Sequence, residues 1–230
     1  MTEQRQDPSA GFGPADVDIL ERESPWRGFF RMDRLRLRHR LFEGGWSREL
    51  TRELFVRQEA AGVLPWDPVR DEVLLIEQFR AGALDYRDSP WCLEVIAGIA
   101  DQAGESLEDM VRREAQEEAG LTLETVIPLP SYLVSPGGSN ERMSLFFAVA
   151  DLSAAGGVHG NSEEGEDIRV HRVPLADIPA LMQAGKLDNA PCLIALQWLQ
   201  INHATLRKRH LPLEFQAPPE SQASPESREE

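Results

Sequence analysis

The feature that most constrains the fold is a helical segment, residues 106–121, whose apolar side is interrupted by carboxylates. At about 100° per residue, Met110 and Val111 lie on one side of this helix. Glu114 and Glu118 continue the same side, one helical turn apart. Half-buried carboxylates without a neighbouring cation repel each other and take up protons. The pattern therefore predicts a helix that packs on a core and needs positive charge beside its second half.

Capping residues mark both ends of this helix. Ser106 opens the sequence SLED, which is typical of a capping box at a helix start. Gly120 follows the last helical position, where a glycine commonly ends a helix in the left-handed conformation. The helix is therefore expected to run from about Ser106 to Ala119.

Two sources of positive charge would satisfy the carboxylates. A surface helix pairs them with arginines, but the best candidate, Arg113, is adjacent to Glu114 rather than a turn away from it. A divalent cation is the alternative. Oxygen ligands with open positions suit magnesium or manganese, which bind substrate phosphates in such sites.

The rest of the chain alternates strand and helix patterns, which is typical of the α/β class. Strands are predicted at residues 62–67, 72–79, 91–98, 123–129, 143–151 and 168–173, and further helices at 175–185 and 191–210. Period-2 alternation in residues 29–42 and 52–60 predicts hairpins or a small sheet before them. The domain organisation expected is a flexible arm (1–14), a β-rich segment (15–58), a main α/β domain (59–211) and a disordered acidic tail (212–230).

The net charge and the cysteine content indicate which partners the protein can bind and in which compartment it is located. The net charge of −15 in 230 residues does not attract nucleic acid or an anionic membrane. The chain has only two cysteines, and the N-terminus lacks the apolar stretch of a secretory signal. No apolar run approaches the roughly 20 residues that span a bilayer. We therefore expect a cytoplasmic protein that binds neither nucleic acid nor membrane.

The helix and the loop before it resemble the box of the Nudix hydrolase superfamily. The residues that carry the resemblance are Gly98, Glu105 and REAQEEAGL at 113–121. Every specified position from Glu105 to Leu121 matches, but six residues rather than five separate Gly98 from Glu105. The resemblance implies an α/β/α sandwich with a mixed sheet, preceded by a small β-rich N-terminal dimerisation segment.

From about Asp16 to Arg209, the chain is most similar to the bacterial ADP-ribose pyrophosphatase family. RGFF (27–30), IEQFR (76–80) and SPGGSNER (135–142) carry this closer resemblance. It implies magnesium-dependent hydrolysis of the diphosphate bond of ADP-ribose to AMP and ribose 5-phosphate. It also implies a homodimer with intertwined N-terminal segments, in which the β-rich segment contacts substrate.

The family pattern implies functional residues at matching positions. The metal ligands would be Glu114, Glu118, the backbone carbonyl of Ala97 and Glu166, supported by Glu105 and Glu117. The general base would be Glu164 on a later loop, with the adjacent Glu163 as the alternative. A carboxylate bound to cations is a poor base, so a separate residue is chemically reasonable. Without the resemblance, EEGED (163–167) would be interpreted as a solvated acidic loop.

The same resemblance implies substrate contacts outside the box. Arg80 and Arg52 would lie at or beside the diphosphate, since the guanidinium group suits phosphate oxygens. Phe29 would stack on the adenine, from the partner subunit. Ser135 and Glu141 would lie near the terminal ribose. The alternatives on residues alone are surface arginines, a core aromatic and a plain tight turn.

Two other functions remain open on the sequence. A sibling Nudix hydrolase of another nucleoside diphosphate sugar, such as GDP-mannose, shares the box and the fold. A non-catalytic nucleotide sensor is the alternative from a different class, although no basic helix-turn-helix segment is evident.

Overall fold

The computed structural model describes residues 11–85, 88–163 and 165–210. The predicted base Glu164, most of the predicted arm and the predicted tail lie outside the described residues. The strands are β1 (Val17–Arg27), β2 (Arg31–His39), β3 (Leu50–Val56), β4 (Ala60–Asp67), β5 (Glu72–Phe79), β6 (Trp91–Glu94), β7 (Ile96–Ile99), β8 (Val126–Pro128), β9 (Tyr132–Leu133), β10 (Arg142–Val149), β11 (Gly157–His159) and β12 (Ile168–Pro174). The helices are α1 (Leu107–Ala119), α2 (Ile178–Gln183) and α3 (Ala190–His210).

The chain divides into two compact units. The first holds the residues up to Ala61 together with Ile99–Glu105 and Pro130–Ser144, and the second holds the described remainder. The expected α/β class is confirmed, with a strand-rich N-terminal region and helices that accompany a larger sheet. Among the described helices, none combines the length and the apolar character needed to cross a lipid bilayer.

The first unit contains an antiparallel sheet in the order β1-β2-β3. One face of its β1–β2 hairpin carries cross-strand ion pairs, because acids on β1 lie opposite arginines on β2. Three of these pairs are Arg34–Glu23 (2.6 Å), Arg36–Glu21 (3.2 Å) and Arg38–Asp18 (2.7 Å). An irregularity in the register between Ile19 and Glu21 keeps the acids on this face.

The opposite face of the same sheet is apolar. Ile19 lies opposite Leu37, and Leu37 lies opposite Leu50, so the three side chains form a row across the strands. Arg52, opposite Leu35, belongs to this face as well. In the described stretch 11–59, Asp33 is the only residue that is buried. Ile19 is exposed on this face, while Leu37 and Leu50 are half-buried.

The second unit is built on strands in the order β11-β12-β5-β4-β10-β8, with β6 beside β5 and β7 beside β4. Its core contains fully buried Trp66 of β4 and Phe147 of β10. Trp198 of α3 packs on Phe147, with ring centroids 5.3 Å apart. Asn189 fixes the start of α3, because its Oδ1 accepts from the backbone of Cys192 at 3.1 Å while its Nδ2 donates to the carbonyl of Leu93 at 2.7 Å.

The helix predicted at 106–119 is confirmed at both ends. The hydroxyl of Ser106 accepts from the backbone N–H of Asp109 at 3.1 Å. Gly120 adopts a left-handed conformation at φ 63°, and its N–H donates to the carbonyl of Gln116 at 3.0 Å. Met110 and Val111 are buried as expected, and Glu118 is buried with them. The helix start at Ser106 and the apolar side of the helix together place the Glu118 carboxylate in the protein interior.

Two elements differ from the sequence prediction. The stretch 91–98, expected as one strand, is two strands separated at Val95, because β6 pairs with β5 while β7 pairs with β4. The strand expected at 123–129 is only β8. Arg112 donates to the carbonyls of Leu123 (3.2 Å) and Glu124 (3.5 Å). Those carbonyls are therefore bonded to a side chain rather than to a neighbouring strand.

Candidate active site

Glu118 is the most unusual side chain of the second unit. It is only 2% exposed, and its Oε2 accepts from the backbone N–H of Ala97 at 3.2 Å. Burial, together with the charges of Glu114 and Glu166, raises the pKa of Glu118 to about 8, although the N–H of Ala97 and the charge of Arg80 act in the opposite direction. A carboxyl group in these surroundings gains strongly from a nearby cation.

Glu114 lies one turn earlier on α1 and is half-buried. Burial raises its pKa above the ordinary value, although the charge of Arg113 acts in the opposite direction. Its Oε1 lies 3.0 Å from the guanidinium of Arg113, which also contacts Glu117 at 3.0 Å. The inference that adjacency prevents an Arg113–Glu114 pair is therefore wrong. The guanidinium group of Arg113 contacts both acids.

Gly98 makes room for the Glu114 carboxylate. A Cβ on residue 98 would overlap the Oε1 and Cδ atoms of Glu114. Glycine is thus required here by close approach, since any side chain would displace the carboxylate. The glycine that opens the box-like pattern and the glutamate on the helix are therefore in direct contact.

Glu166 approaches the same region from the loop between β11 and β12. Its Oε2 accepts from the backbone N–H of Asn161 at 3.0 Å, and its own N–H donates to the carbonyl of Asn161 at 3.1 Å. The charge of Glu166 raises the pKa of both Glu114 and Glu118. The structure thus brings together three of the predicted metal-ligating carboxylates, along with Ala97.

The chemistry of this donor set suits a hard divalent cation. Magnesium prefers oxygen ligands, and carboxylate charge would be neutralised on binding. The described side chains do not form a finished coordination shell, since among them no group of three or more His, Cys, Asp or Glu is arranged to hold an ion.

Arg80 directly follows β5, and its charge lowers the pKa of Glu118. Its guanidinium donates to Glu94 Oε2 at 2.7 Å, and its backbone N–H donates to the carbonyl of Pro90 at 2.9 Å. Glu94, on the neighbouring β6, therefore orients Arg80. Sequence reasoning missed Glu94, although a lone acid within the otherwise apolar WCLEVIAG was a usable signal.

Phe29 and Arg52, both predicted substrate contacts, are exposed in the first unit. Phe29 is 88% exposed and meets Phe30 edge-on, with ring centroids 4.8 Å apart. The two phenylalanines border a cavity of about 290 Å³ together with Arg31, Val56 and Arg57. Arg52 donates to the carbonyl of Thr51 at 2.9 Å.

Glu141 and Ser135, predicted near the ribose, belong to a loop of the first unit. Glu141 Oε1 lies 3.3 Å from the guanidinium of Arg57, which was not among the predicted residues. The Ser135 carbonyl accepts from the N–H groups of Gly138 (3.0 Å) and Ser139 (2.8 Å), which defines a tight turn. Glu105 is also in this unit, where it is half-buried and donates its N–H to the carbonyl of Gln102 at 3.3 Å.

The chain is similar to known proteins over most of its length. The NUDIX domain family matches residues 56–196 of the chain. The ADP-ribose pyrophosphatase of Escherichia coli (strain K12) is 51% identical over 196 residues, which cover 85% of this chain and 93% of that protein. The ADP-ribose pyrophosphatase of Haemophilus influenzae is 42% identical over 200 residues, covering 86% of this chain and 92% of that protein.

More distant relatives include a pyrophosphatase named for another substrate. The GDP-mannose pyrophosphatase of Pectobacterium atrosepticum is 30% identical over 192 residues, covering 83% of this chain and 95% of that protein. A crystal structure of an ADP compounds hydrolase superposes with a TM-score of 0.62 at 21% identity, covering 81% of this chain and 96% of that chain. At this identity the superposition supports the fold alone.

Proposed function

This chain belongs to the NUDIX domain family, and we propose that it hydrolyses the diphosphate bond of ADP-ribose to AMP and ribose 5-phosphate with magnesium. The observation that carries the reaction class is the buried Glu118, which lies within the electrostatic reach of Glu114 and Glu166. The relatives at 51% and 42% identity are ADP-ribose pyrophosphatases, which supports ADP-ribose as the substrate.

In this proposal, Glu114, Glu118, Glu166 and the carbonyl of Ala97 hold the cation, and Glu105 and Glu117 support them. The residues fit this role, because the fully charged cluster is unfavourable without a cation. Bound magnesium, or manganese in its place, would polarise the phosphoryl oxygens and neutralise charge on the diphosphate. Arg113, which holds Glu114 and Glu117 in the described conformation, would release Glu114 to the ion.

The proposed general base is Glu164, with Glu163 as the alternative. Such a base takes a proton from the water that attacks phosphorus, while the other phosphate leaves. Glu163 is exposed, and its N–H is bonded to Oδ1 of Asn161 at 3.0 Å. A carboxylate outside the cation cluster keeps its basicity, which supports a base on this loop rather than on α1.

The proposed substrate contacts are those predicted from the resemblance. Arg80, oriented by Glu94, would bind the diphosphate, and Arg52 would lie beside it. Phe29 would stack on the adenine, and its high exposure leaves its ring faces available for that contact. Ser135 and Glu141 would lie near the terminal ribose, where hydroxyl groups call for acceptors.

We also propose a homodimer with intertwined N-terminal segments, formed through residues 15–58. The support is the apolar face with Ile19, Leu37 and Leu50, of which Ile19 is 57% exposed. Uncovered apolar area of this kind is typical of subunit interfaces. Arg52 lies on the same face and would then point toward the partner subunit. Sedimentation equilibrium tests the assignment, since a monomer at micromolar concentration contradicts it.

The remaining organisation follows the same proposal. Residues 59–211 would form the hydrolase domain. The enzyme acts in the cytoplasm, consistent with two free cysteines that are both buried.

A panel of nucleoside diphosphate sugars tests the substrate. With Mg²⁺ present, the wild-type chain should release AMP and ribose 5-phosphate from ADP-ribose with a higher kcat/KM than it shows for GDP-mannose. A preference for GDP-mannose would replace the substrate but keep the reaction class. Binding of ADP-ribose without turnover, with any divalent ion, would instead support the nucleotide-sensor alternative.

A further inference from the structure

His159 lies where the loop with Glu163 and Glu166 begins, and its ring packs on the end of α1. A Cβ on Gly120, the glycine that ends α1, would lie only 3.1 Å from Cε1 of His159. Next along the chain, the N–H of Gly160 approaches the carbonyl of Glu117 at 3.4 Å. Because residue 120 is glycine, the imidazole can lie directly against the last turn of the helix.

The loop beyond His159 is closed on itself. Asn161 exchanges two hydrogen bonds with Glu166, and its Oδ1 accepts from the N–H of Glu163. Gly160 has φ 102°, and a Cβ there would lie 2.9 Å from Cβ of Glu166. These hydrogen bonds tie the described residues of the loop, 160–163 and 165–166, together as one segment. Its orientation relative to α1 is therefore set at its root, by the contacts of His159 and Gly160.

A hydrogen bond also holds the imidazole ring of His159. Its Nε2 is 2.9 Å from the carbonyl of Gly156, so this nitrogen carries the proton and donates. The ring also borders a cavity of about 560 Å³, whose other walls include small residues such as Ala154 and Ala155. The contact with Gly120 and the hydrogen bond to Gly156 both help to locate the ring.

We propose that His159 is a positioning residue that sets the orientation of the 160–166 loop relative to the carboxylates of α1. The proposal rests on the proposed function, in which Glu164 and Glu166 act from this loop and Glu114 and Glu118 act from the helix. His159 touches neither substrate nor cation. It acts by fixing the distance between two sets of groups, and misplacement by about 1 Å can lower a rate by roughly 100-fold.

The test compares His159→Ala with His171→Ala. His171 is a matched control, because it is a half-buried histidine of β12 whose Nε2 contacts Glu77 at 3.0 Å, away from the loop root. His159→Ala should lower kcat for ADP-ribose by about 10- to 100-fold with KM changed by less than about threefold. His171→Ala should leave both near wild-type values.

Hydrogen exchange of the substrate-free protein gives a readout that does not depend on activity. The amides of Asn161, Glu163 and Glu166 should exchange faster in His159→Ala than in the wild type or in His171→Ala, while the amides of α1 keep their rates. His159→Phe retains a ring against Gly120 and should recover most of the lost kcat. If His159→Ala does not fold, His159→Gln, which keeps a donor but lacks the ring, replaces it.

The failures are distinguishable. If the wild type does not hydrolyse ADP-ribose, the proposed function is wrong, and the exchange data alone decide whether His159 orders the loop. Unchanged kcat and unchanged loop exchange in His159→Ala overturn the inference. Equal loss of kcat in His159→Ala and His171→Ala overturns it too, because the effect would then be general destabilisation.

Discussion

Replacement of Glu118 by glutamine should change how stability depends on pH in the metal-free protein. The pKa of Glu118 is about 8 in the folded state and 4.5 as its ordinary value. Between these values the folded chain retains a proton that the unfolded chain releases, so the free energy of unfolding falls as pH rises. The loss is about 1.4 kcal/mol per pH unit, or about 5 kcal/mol over the whole interval.

Glu118→Gln carries no charge at any pH and escapes this loss. In EDTA, the difference in unfolding free energy between the variant and the wild type should be small near pH 5 and should grow to several kcal/mol in favour of the variant near pH 8 to 9. Urea denaturation at each pH measures it, since titrating groups that do not interact with Glu118 cancel in the difference. Glu108→Gln, on the exposed side of α1, is the control and should change stability by less than about 0.5 kcal/mol.

Magnesium should narrow the difference at high pH. A cation at 100 times its dissociation constant stabilises the folded state by about 2.7 kcal/mol, and only the wild type retains the full ligand set. A difference between Glu118→Gln and wild type that stays flat from pH 5 to pH 9 would refute the burial argument. Equal stabilisation of both proteins by magnesium would refute the ligand role.

Three further perturbations test other parts of the account. Glu164→Gln should lower kcat by about 10²- to 10⁴-fold with little change in KM, as steady-state kinetics would show, whereas the same loss in Glu163→Gln would move the base by one residue. Gly98→Ala should raise the magnesium concentration for half-maximal rate, because its methyl group displaces Glu114; an unchanged magnesium titration contradicts that contact. Asp71→Ala should lower the free energy of unfolding by about 1–3 kcal/mol, because Asp71 accepts hydrogen bonds from a buried tryptophan and a histidine of α3, and an unaltered urea midpoint would show that these bonds contribute nothing.

Local sequence patterns predicted the structure correctly where the residues in contact are close in sequence. The helix start at Ser106 and the helix end at Gly120 follow from the residue preferences of helix termini. The burial of Glu118 follows from the 3.6-residue period, which places it on the apolar side. The α/β class follows from the alternation of strand and helix patterns in the same way.

Contacts between distant parts of the chain were beyond the sequence. The pairing of Arg80 with Glu94 depends on the register of β5 and β6, and the packing of His159 on Gly120 depends on where β11 meets α1. Neither histidine spacing nor local charge signals the latter. Arg113 also shows the limit of spacing rules, because a flexible side chain contacted Glu114 where helix geometry alone argued against the pair.

Anomalous diffraction from crystals grown with manganese tests the central claim most directly. Manganese replaces magnesium at oxygen sites and its position can be located from its own scattering. We predict a strong peak among the carboxylates of Glu114, Glu118 and Glu166, with Glu114 turned away from Arg113. A map in which Glu114 stays paired with Arg113, Glu118 stays on the N–H of Ala97 and manganese binds elsewhere or not at all would contradict the account.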